Sequence, residues 1–312
     1  MKKGLSLLLA MLLALFLVSC SGKDVGNEGD VADGVGMEDV QKSDESHDSK
    51  EALKGDILWE TDDCKIILTQ IQTDAWNWQY GDFYGVDLSL QNTSADTEYQ
   101  VTVTNPCIDG VAVRGHYNGT VLAGETVSET IALRDELLVE SGATDYTDIE
   151  LTFTIRPVGD PDHSVSETVH IYPLGEDKAK TFVREAQPTD TVLVDNDAVT
   201  VVVTECSAKY DEENDFESYD VDFYIVNKTD VNIVTSEDEA SINGVLCDPT
   251  FANEVPVGKV GLFTMSWSKY ALEDAGIPEP DVKEIKFLLK VKDDHVLGWG
   301  ESFVEQEVTL NP

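Results

Sequence analysis

Apolar and polar residues alternate along most of the chain beyond about residue 56, which is the pattern of β-strands with one buried face. Val86, Leu88 and Leu90 are separated by single polar residues, and the segment from Ile149 to Ile155 repeats this pattern. Strands of this kind form antiparallel sheets that are covered on one side, and two such sheets packed face to face form a sandwich. The pattern therefore predicts an all-β protein built from antiparallel β-sandwiches.

The strand pattern occurs twice. Leu58–Ser94 aligns with Leu193–Thr229 without a gap, and both copies end alike, at Pro173 and at Pro312. Turn signals rich in Gly, Asn and Asp divide each copy into about seven or eight short strands, which is typical of an immunoglobulin-like (Ig-like) domain. We therefore expect two tandem Ig-like sandwiches: a first copy at residues 56–174, an interdomain linker at 175–190 and a second copy at 191–312.

Two short segments depart from the alternation. They are Asp135–Ser141 in the first copy and Lys269–Ala275 in the second, and a glycine, Gly142 or Gly276, follows each of them. A glycine directly after an apolar and charged segment is typical of a helix C-terminus. Each copy is therefore predicted to contain one short helical turn.

The N-terminus carries a targeting signal. Lys2 and Lys3 precede an apolar stretch, Leu5–Val18, that is too short for a stable membrane span and ends in Leu17-Val18-Ser19-Cys20. This segment resembles a bacterial lipoprotein signal, in which the cysteine after a small residue is diacylated and becomes the new N-terminus. The resemblance implies a signal peptide at residues 1–19, lipidation of Cys20 and attachment to the outer face of the cell membrane. The alternatives are an ordinary secretory signal and an uncleaved anchor.

The segment after Cys20 has the composition of a disordered spacer. Residues 20–55 are rich in Gly, Ser, Asp and Glu and contain no aromatic residue. Such a segment cannot bury enough apolar surface to offset the entropy of the chain, and its like charges repel one another. We expect an extended acidic tether.

The charge of the chain limits its partners. Lys and Arg number 21 against 61 Asp and Glu, which gives a formal net charge of −40, and removal of the signal peptide would make it more negative. This charge repels nucleic acids and anionic lipid headgroups and favours cationic partners. Nucleic-acid binding is excluded on this ground, and the lipid on Cys20 is the expected membrane attachment.

Four cysteines remain once Cys20 is assigned to lipid: Cys64, Cys107, Cys206 and Cys247. They form no CxxC motif, so a zinc site is not expected, whereas an extracytoplasmic location would permit disulfides. Three of them align with Val199, Ile71 or Val113 in the other copy, which indicates small apolar sites. We therefore predict buried, unpaired thiols; the alternative is one bridge in each copy, Cys64 to Cys107 and Cys206 to Cys247.

Nearly the whole folded region also resembles a known group, although the first copy departs from the pattern at Val139–Ala143. The lipoprotein signal, the acidic spacer and the second-copy segments Asn227-Lys228-Thr229, Ile242-Asn243-Gly244 and Ala271–Ile277 are similar to lipoproteins of Gram-positive bacteria that carry tandem Ig-like domains. The resemblance implies the fold. No activity is assigned to that group, so the resemblance implies none here.

Catalytic signatures are missing from the sequence. The five histidines show no metal-ligand spacing, no serine lies in a G-x-S-x-G motif, and neither glycine-rich phosphate loop occurs. Acidic residues are so numerous that carboxylate pairs carry no information. We expect a protein that is not an enzyme and that has no cofactor and no metal.

An aromatic cluster is the candidate contact site. Trp76, Trp78 and Tyr80 align with Asp211, Glu213 and Asp215 of the second copy, and a core position seldom accepts Trp in one copy and Glu in the other. These three aromatic side chains are therefore predicted to contact a ligand or a partner. The acidic loop that replaces them in the second copy, residues 211–220, lacks the order and the glycine of a calcium loop and is interpreted as solvated.

These observations together predict a non-catalytic, lipid-anchored surface protein that displays or binds an unknown ligand. One alternative is a carbohydrate-binding lipoprotein that uses Trp76, Trp78 and Tyr80. The other alternative is a structural subunit of an envelope complex. A glycan or a protein is the expected partner in either case.

Overall fold

The computed structural model describes residues 54–77, 81–134, 136–143, 145–211, 215–277, 281–294 and 302–312. These residues belong to one unit, Asp48–Pro312. The predicted signal peptide, Cys20 and the tether before residue 54 lie outside the described residues, so the predictions about them remain predictions. The predicted domain boundaries, which fall within the described residues, also remain predictions.

The first half of the described chain contains nine strands and one helix. They are β1 (Ile57–Glu60), β2 (Cys64–Asn77), β3 (Gly81–Asn92), β4 (Tyr99–Ile108), β5 (Val111–Ala112), β6 (Tyr117–Val121), β7 (Thr126–Leu133), α1 (Glu136–Glu140), β8 (Ile149–Pro157) and β9 (Val165–Ile171).

The second half repeats this order within its described residues. It consists of β10 (Thr191–Asp195), β11 (Val199–Tyr210), β12 (Phe216–Asn227), β13 (Ile233–Ile242), β14 (Val245–Leu246), β15 (Ala252–Val255), β16 (Val260–Ser268), α2 (Lys269–Asp274), β17 (Ile285–Asp293) and β18 (Ser302–Leu310). Short 3₁₀ turns lie at Pro161–His163 and Glu176–Lys178. Neither helix of the described chain is long and apolar enough to cross a bilayer.

The alternation of apolar and polar residues produces the expected buried faces. Val86 and Leu88 are fully buried, and Asp87 between them is half-buried on the other face of β3. Buried apolar side chains form two cores, one in each half. The prediction of an all-β sandwich is confirmed.

The strands form three sheets. The first half contributes a sheet in the order β1-β2-β3-β7, and the second half contributes one in the order β14-β13-β17-β18, with β15 also paired to β13. The third sheet has nine strands, in the order β10-β11-β12-β16-β5-β4-β8-β9 with β6 on β4, and therefore continues from one half into the other.

Short turns have the same geometry in both halves. Asp109-Gly110 and Asn243-Gly244 connect β4 to β5 and β13 to β14, with all four residues at positive φ, which is the geometry of a two-residue hairpin turn. The side-chain oxygen of Asp109 accepts from the backbone N–H groups of Thr147 and Asp148, at 2.9 Å each. Asn243 Oδ1 likewise accepts from the backbone N–H groups of Lys283 and Glu284, at 2.8 and 3.1 Å. A side chain of each turn thus ties it to the segment before the next long strand.

The predicted helical turns are confirmed. Both α1 and α2 lie inside the predicted segments, and Gly142 (φ 91°) and Gly276 (φ 78°) follow them in the left-handed region. The N–H of Gly142 donates to the carbonyl of Val139, and that of Gly276 donates to Glu273. These bonds satisfy carbonyl groups that a helix end otherwise leaves without a partner.

The segment between the halves packs on both of them. The N–H of Phe182 donates to the carbonyl of Asp109 in the first half. Arg184 makes a bidentate pair with Asp190, at 2.7 Å for each bond, and its guanidinium lies 5.7 Å from the ring centre of Tyr224 in β12. These contacts fix this segment against the sheets.

All four described cysteines carry free thiols. Cys64, Cys107 and Cys247 are buried, and Cys206 is half-buried. The prediction of buried, unpaired thiols is therefore confirmed for three residues. Cys206 is unpaired as predicted, but it is only half-buried.

Candidate functional site

The two halves join through one short parallel ladder. Val111 and Ala112 of β5 pair with Val260 and Gly261 of β16. These two strands run parallel, whereas the other paired strands in the described part of the chain run antiparallel. The N–H of Val260 donates to the carbonyl of Gly110 at 3.0 Å. Four residues thus merge sheets that would otherwise be separate.

Packing and an ion pair reinforce this junction. Leu262 of the second half packs on the first core, whereas Cys107 of the first half belongs to the second core. Lys259 Nζ lies 2.6 Å from Glu150 Oε2, and both side chains are largely buried. The halves therefore share apolar contacts as well as hydrogen bonds.

A cleft of about 480 Å³ lies at this junction, and we call it the junction cleft. Its first-half wall consists of β5 and the residues after it, Arg134 at the end of β7, and α1; its second-half wall consists of residues from β11, β12 and β16. The volume lies in the range of small-molecule sites. The lining includes Arg114, Arg134, Lys209, Glu217, Asp220 and Asp222.

Two arginines lie opposite each other on the first-half wall. Arg114 and Arg134 form an isolated antiparallel bridge, in which the N–H of Arg134 donates to the carbonyl of Arg114 at 2.7 Å. Like charges directly opposite each other on paired strands are unfavourable. Burial and the charge of Arg134 lower the pKa of Arg114, and Glu136 partly offsets this effect.

A glycine allows these two segments to approach. A Cβ atom on Gly115 would lie 2.9 Å from Leu133 Cδ2 and 3.0 Å from the carbonyl oxygen of Ala132, closer than ordinary contacts. Any other residue would push the segment that carries Arg114 away from β7. The arginine pair therefore depends on this glycine.

The second-half wall carries carboxylates at fixed positions. Asp220 Oδ1 accepts from Ser266 Oγ and Asp222 Oδ1 accepts from Thr264 Oγ1, both at 2.6 Å. Burial raises the pKa of Asp222; the Thr264 hydrogen bond and Lys209 counteract this effect. The hydroxyl groups hold both carboxylates on the outward face of β12.

The opposite charges of the two walls do not pair. Among the described residues, no carboxylate lies within 4.0 Å of the guanidinium groups of Arg114 and Arg134 or of Lys209 Nζ, whereas Lys65, Arg184 and other cations have such partners. Other described cations, such as Arg156 and Lys292, also lack a carboxylate partner, so what distinguishes Arg114, Arg134 and Lys209 is that they line the same cleft. The cleft can therefore offer both signs of charge to a ligand.

Comparison of the halves separates structural from site-specific residues. The Asp222–Thr264 pair recurs as Asp87 and Thr130, also at 2.6 Å, so the fold itself accounts for it. By contrast, the sequence register aligns Arg114 with Asp248, Arg134 with Ser268 and Asp220 with Gly85. The fold therefore does not require the two arginines or Asp220.

Sequence reasoning did not identify the junction cleft. The signal that would have found its arginines is the comparison of copies that singled out the tryptophans, because Arg114 and Arg134 also align with residues of different chemistry. The sequence alone gave no reason to bring the first-half arginines near β12.

The sequence-predicted contact residues are only partly covered by the structure. Trp76 lies near the end of β2, where its backbone pairs with Asp82 of β3. Trp78, Tyr80 and Cys20 lie outside the described residues. Tyr84, which is aromatic in both copies, is buried as expected for a core position.

Metal binding has no support in the described residues, where no group of three or more His, Cys, Asp or Glu side chains converges on a possible ion site. In the acidic loop of the second half, Asp211 Oδ1 accepts from the N–H of Asp215 at 2.8 Å. This carboxylate oxygen is thus engaged in a hydrogen bond that links the two ends of the loop.

Comparisons with known proteins do not assign the chain to a family. No protein-family model and no curated protein sequence matches the chain. Among solved structures, the YadV chaperone aligns at 9% identity with a TM-score of 0.23 and covers 80% of this chain and 100% of its own. Red sea bream transglutaminase aligns at 12% identity with a TM-score of 0.20 and covers 78% of this chain and 31% of its own. Similarities of this size identify neither a relative nor a function.

Proposed function

We propose that the chain is a lipid-anchored, extracytoplasmic binding protein that is not an enzyme and that captures its ligand in the junction cleft. The lipoprotein-like signal ending at Cys20 and the acidic spacer behind it support the anchoring. The observation that carries the binding function is that one cleft holds two arginines without a carboxylate partner among the described residues and, on the opposite wall, the carboxylates of Asp220 and Asp222.

The chemistry of the cleft favours binding over catalysis. Among the described residues, its lining contains neither histidine nor cysteine, and the hydroxyl of Ser266 donates to Asp220. A hydroxyl nucleophile requires a base that is itself oriented by a third group, and donors for the developing oxyanion. The lining instead places two carboxylates held by hydroxyl groups on β12 and two arginines on the first-half wall, which suits recognition of a polar ligand.

The anchoring is tested with the full-length chain in its bacterial host. Wild type should partition into detergent with an acyl mass on Cys20, because two acyl chains hold a protein firmly at a membrane. Cys20→Ala should be released or remain unprocessed. Recovery of mature wild type in the aqueous phase without acyl mass would overturn this part of the proposal.

The binding site is tested with a panel of four compounds: a dicarboxylate, a uronic acid, a zwitterionic tripeptide and a neutral trisaccharide. Calorimetric titration should detect binding of at least one charged compound to wild type. The variant Arg114→Gln/Arg134→Gln should bind it about tenfold more weakly, which corresponds to one charge-assisted hydrogen bond. Arg156, an exposed arginine outside the cleft lining, provides the matched control Arg156→Gln. Absence of binding, or equal binding by both arginine variants, would contradict a binding site in this cleft.

A further inference from the structure

The two walls of the junction cleft indicate a particular class of ligand, an inference that rests on the proposed binding function. We propose that the cleft binds a short peptide that has both a free carboxylate and a free ammonium group. The carboxylate is held by Arg114 and Arg134, and the ammonium group by Asp220 and Asp222 on the opposite wall.

The arginine pair suits the carboxylate end. A guanidinium group is a planar fork that donates two parallel hydrogen bonds to a carboxylate. Arg114 and Arg134 lie directly opposite each other on bridged segments, so one bound anion can interact with both of them. Such an anion would also relieve the repulsion between the two cations.

The aspartates suit the ammonium end. One oxygen of Asp220 accepts from Ser266 and one oxygen of Asp222 accepts from Thr264; the second oxygen of each accepts no hydrogen bond from the described residues. An ammonium group has three donors and can bind both free oxygens. Glu217 lines the same wall and adds to its negative charge, which Lys209 of β11 partly offsets.

The balance of charge selects a zwitterion over other polar ligands. Carboxylates outnumber cations in the lining, since Glu136 and Glu140 of α1 also contribute, so a ligand with several negative charges would be repelled. A neutral glycan would leave the arginine pair without a partner. A ligand with one charge of each sign satisfies both walls.

The test uses the full-length chain and four peptides that differ only in their ends. These are trialanine, N-acetyl-trialanine, trialanine amide and N-acetyl-trialanine amide. Calorimetric titration should show that blocking either end weakens binding about tenfold and that blocking both ends abolishes it. A fifth peptide, N-acetyl-Ala-Lys with a free C-terminal carboxylate, shows whether a side-chain ammonium group can replace the N-terminal one.

Variants assign each end of the peptide to its wall. Arg114→Gln/Arg134→Gln should bind trialanine and its amide equally weakly, while it still discriminates against the acetylated form. Asp220→Asn should show the opposite pattern, and the fold tolerates the loss of this carboxylate because Gly85 is its counterpart in the first half. Arg156→Gln and Asp87→Asn are controls outside the cleft lining and should match wild type, with unfolding curves confirming that each variant is folded.

The outcomes separate this inference from the proposed function. The inference is overturned if blocking the ends does not change the affinity, or if each variant loses affinity equally for trialanine, N-acetyl-trialanine and trialanine amide. It also fails if no peptide binds but another compound of the panel binds in an arginine-dependent way, and in that case the proposed function stands. If nothing binds at all, both fail.

Discussion

Glu237 occupies in the second half the position that Val103 occupies in the first. Val103 pairs with Phe153 and Glu237 with Leu289, and each precedes a β-bulge that contains a positive-φ residue, Asn105 or Glu239. Val103 is fully buried in the first core. Glu237 Oε2 is inaccessible to solvent and accepts no hydrogen bond in the described chain. The second half thus carries a carboxyl group at a position where the first half carries the two methyl groups of a valine.

The carboxyl group of Glu237 should make the protein less stable at high pH. Burial, together with the charges of Asp238 and Asp248, raises its pKa from 4.5 to about 7, despite a backbone hydrogen bond that lowers it. The native state therefore keeps this proton while the unfolded chain releases it, so this contribution to stability falls as pH rises from about 4.5 to 7. Glu237→Gln should remove this dependence.

Denaturant unfolding between pH 4 and pH 9 measures the effect. At pH 8, Glu237→Val should be more stable than wild type by about 1–3 kcal/mol, the cost of a buried polar group without a partner. The exposed neighbour Glu239 provides the control Glu239→Gln, which should follow the wild-type profile. Parallel pH profiles for wild type and Glu237→Gln would refute the assignment.

Asn227 should be among the most sensitive positions of the second half. Its buried Nδ2 donates to the carbonyl groups of Val231, Val255 and Pro256, at 2.8 to 3.0 Å. Asn92 makes the equivalent three bonds in the first half. Asn227→Ala would leave these acceptors without their donor, and should lower the free energy of unfolding by about 2–4 kcal/mol.

The control for Asn227 is Asn118, an exposed asparagine that accepts from Gln100. Asn118→Ala should change the free energy of unfolding by less than about 0.5 kcal/mol. Equal effects of the two substitutions would show that the hydrogen bonds from the Asn227 amide to Val231, Val255 and Pro256 do not stabilise the fold.

The sequence predicts the strands well but not the junction between the halves. Alternation along strands such as β3 and glycine at positions 142 and 276 are local signals, and the structure contains the elements that they predict. The ladder of β5 and β16 is only two residues long on the β5 side, and such a short pair has no recognisable period. The cleft depends on that ladder, so its residues could not be brought together from the sequence.

Lys259 should stabilise the junction. Burial lowers its pKa, but the hydrogen bond and the charge of Glu150 raise it by more, so Lys259 is charged at neutral pH. Lys259→Met leaves Glu150, whose side chain is 13% exposed, with only His170 Nε2 nearby, at 3.5 Å, and should destabilise the protein by about 1–3 kcal/mol. The double variant Lys259→Met/Glu150→Gln should recover part of this loss.

The exposed pair of Lys65 and Glu60 is the comparison for this junction. Lys65→Met should cost less than about 0.5 kcal/mol, because exposed ion pairs contribute little. If Lys259→Met were equally mild, the pair would not be a structural contact of the junction.

The thiols should be unreactive until the chain unfolds. Burial, with smaller contributions from neighbouring carboxylates, raises the pKa of Cys64 and Cys206 to about 11 and that of Cys107 to about 12. At pH 8 the thiolate fraction is then about one in a thousand or less. Iodoacetamide should modify Cys206 first and slowly in the native chain, and all four described cysteines rapidly in denaturant without reductant. Mass spectrometry that detects no alkylation in denaturant would instead support a disulfide in each half.

The parallel ladder also sets the order in which the molecule folds. Val111 and Val260 are about 150 positions apart in the sequence, whereas the hairpins β2–β3 and β11–β12 connect near neighbours. Contacts between distant residues form late, because the entropy of closing a long loop must be overcome first. During synthesis most of the first core can assemble before β16, which contributes Leu262 to it, has left the ribosome. The junction cleft is thus expected to be the last part of the molecule to assemble, so a chain can bind a ligand in it only after both halves have folded.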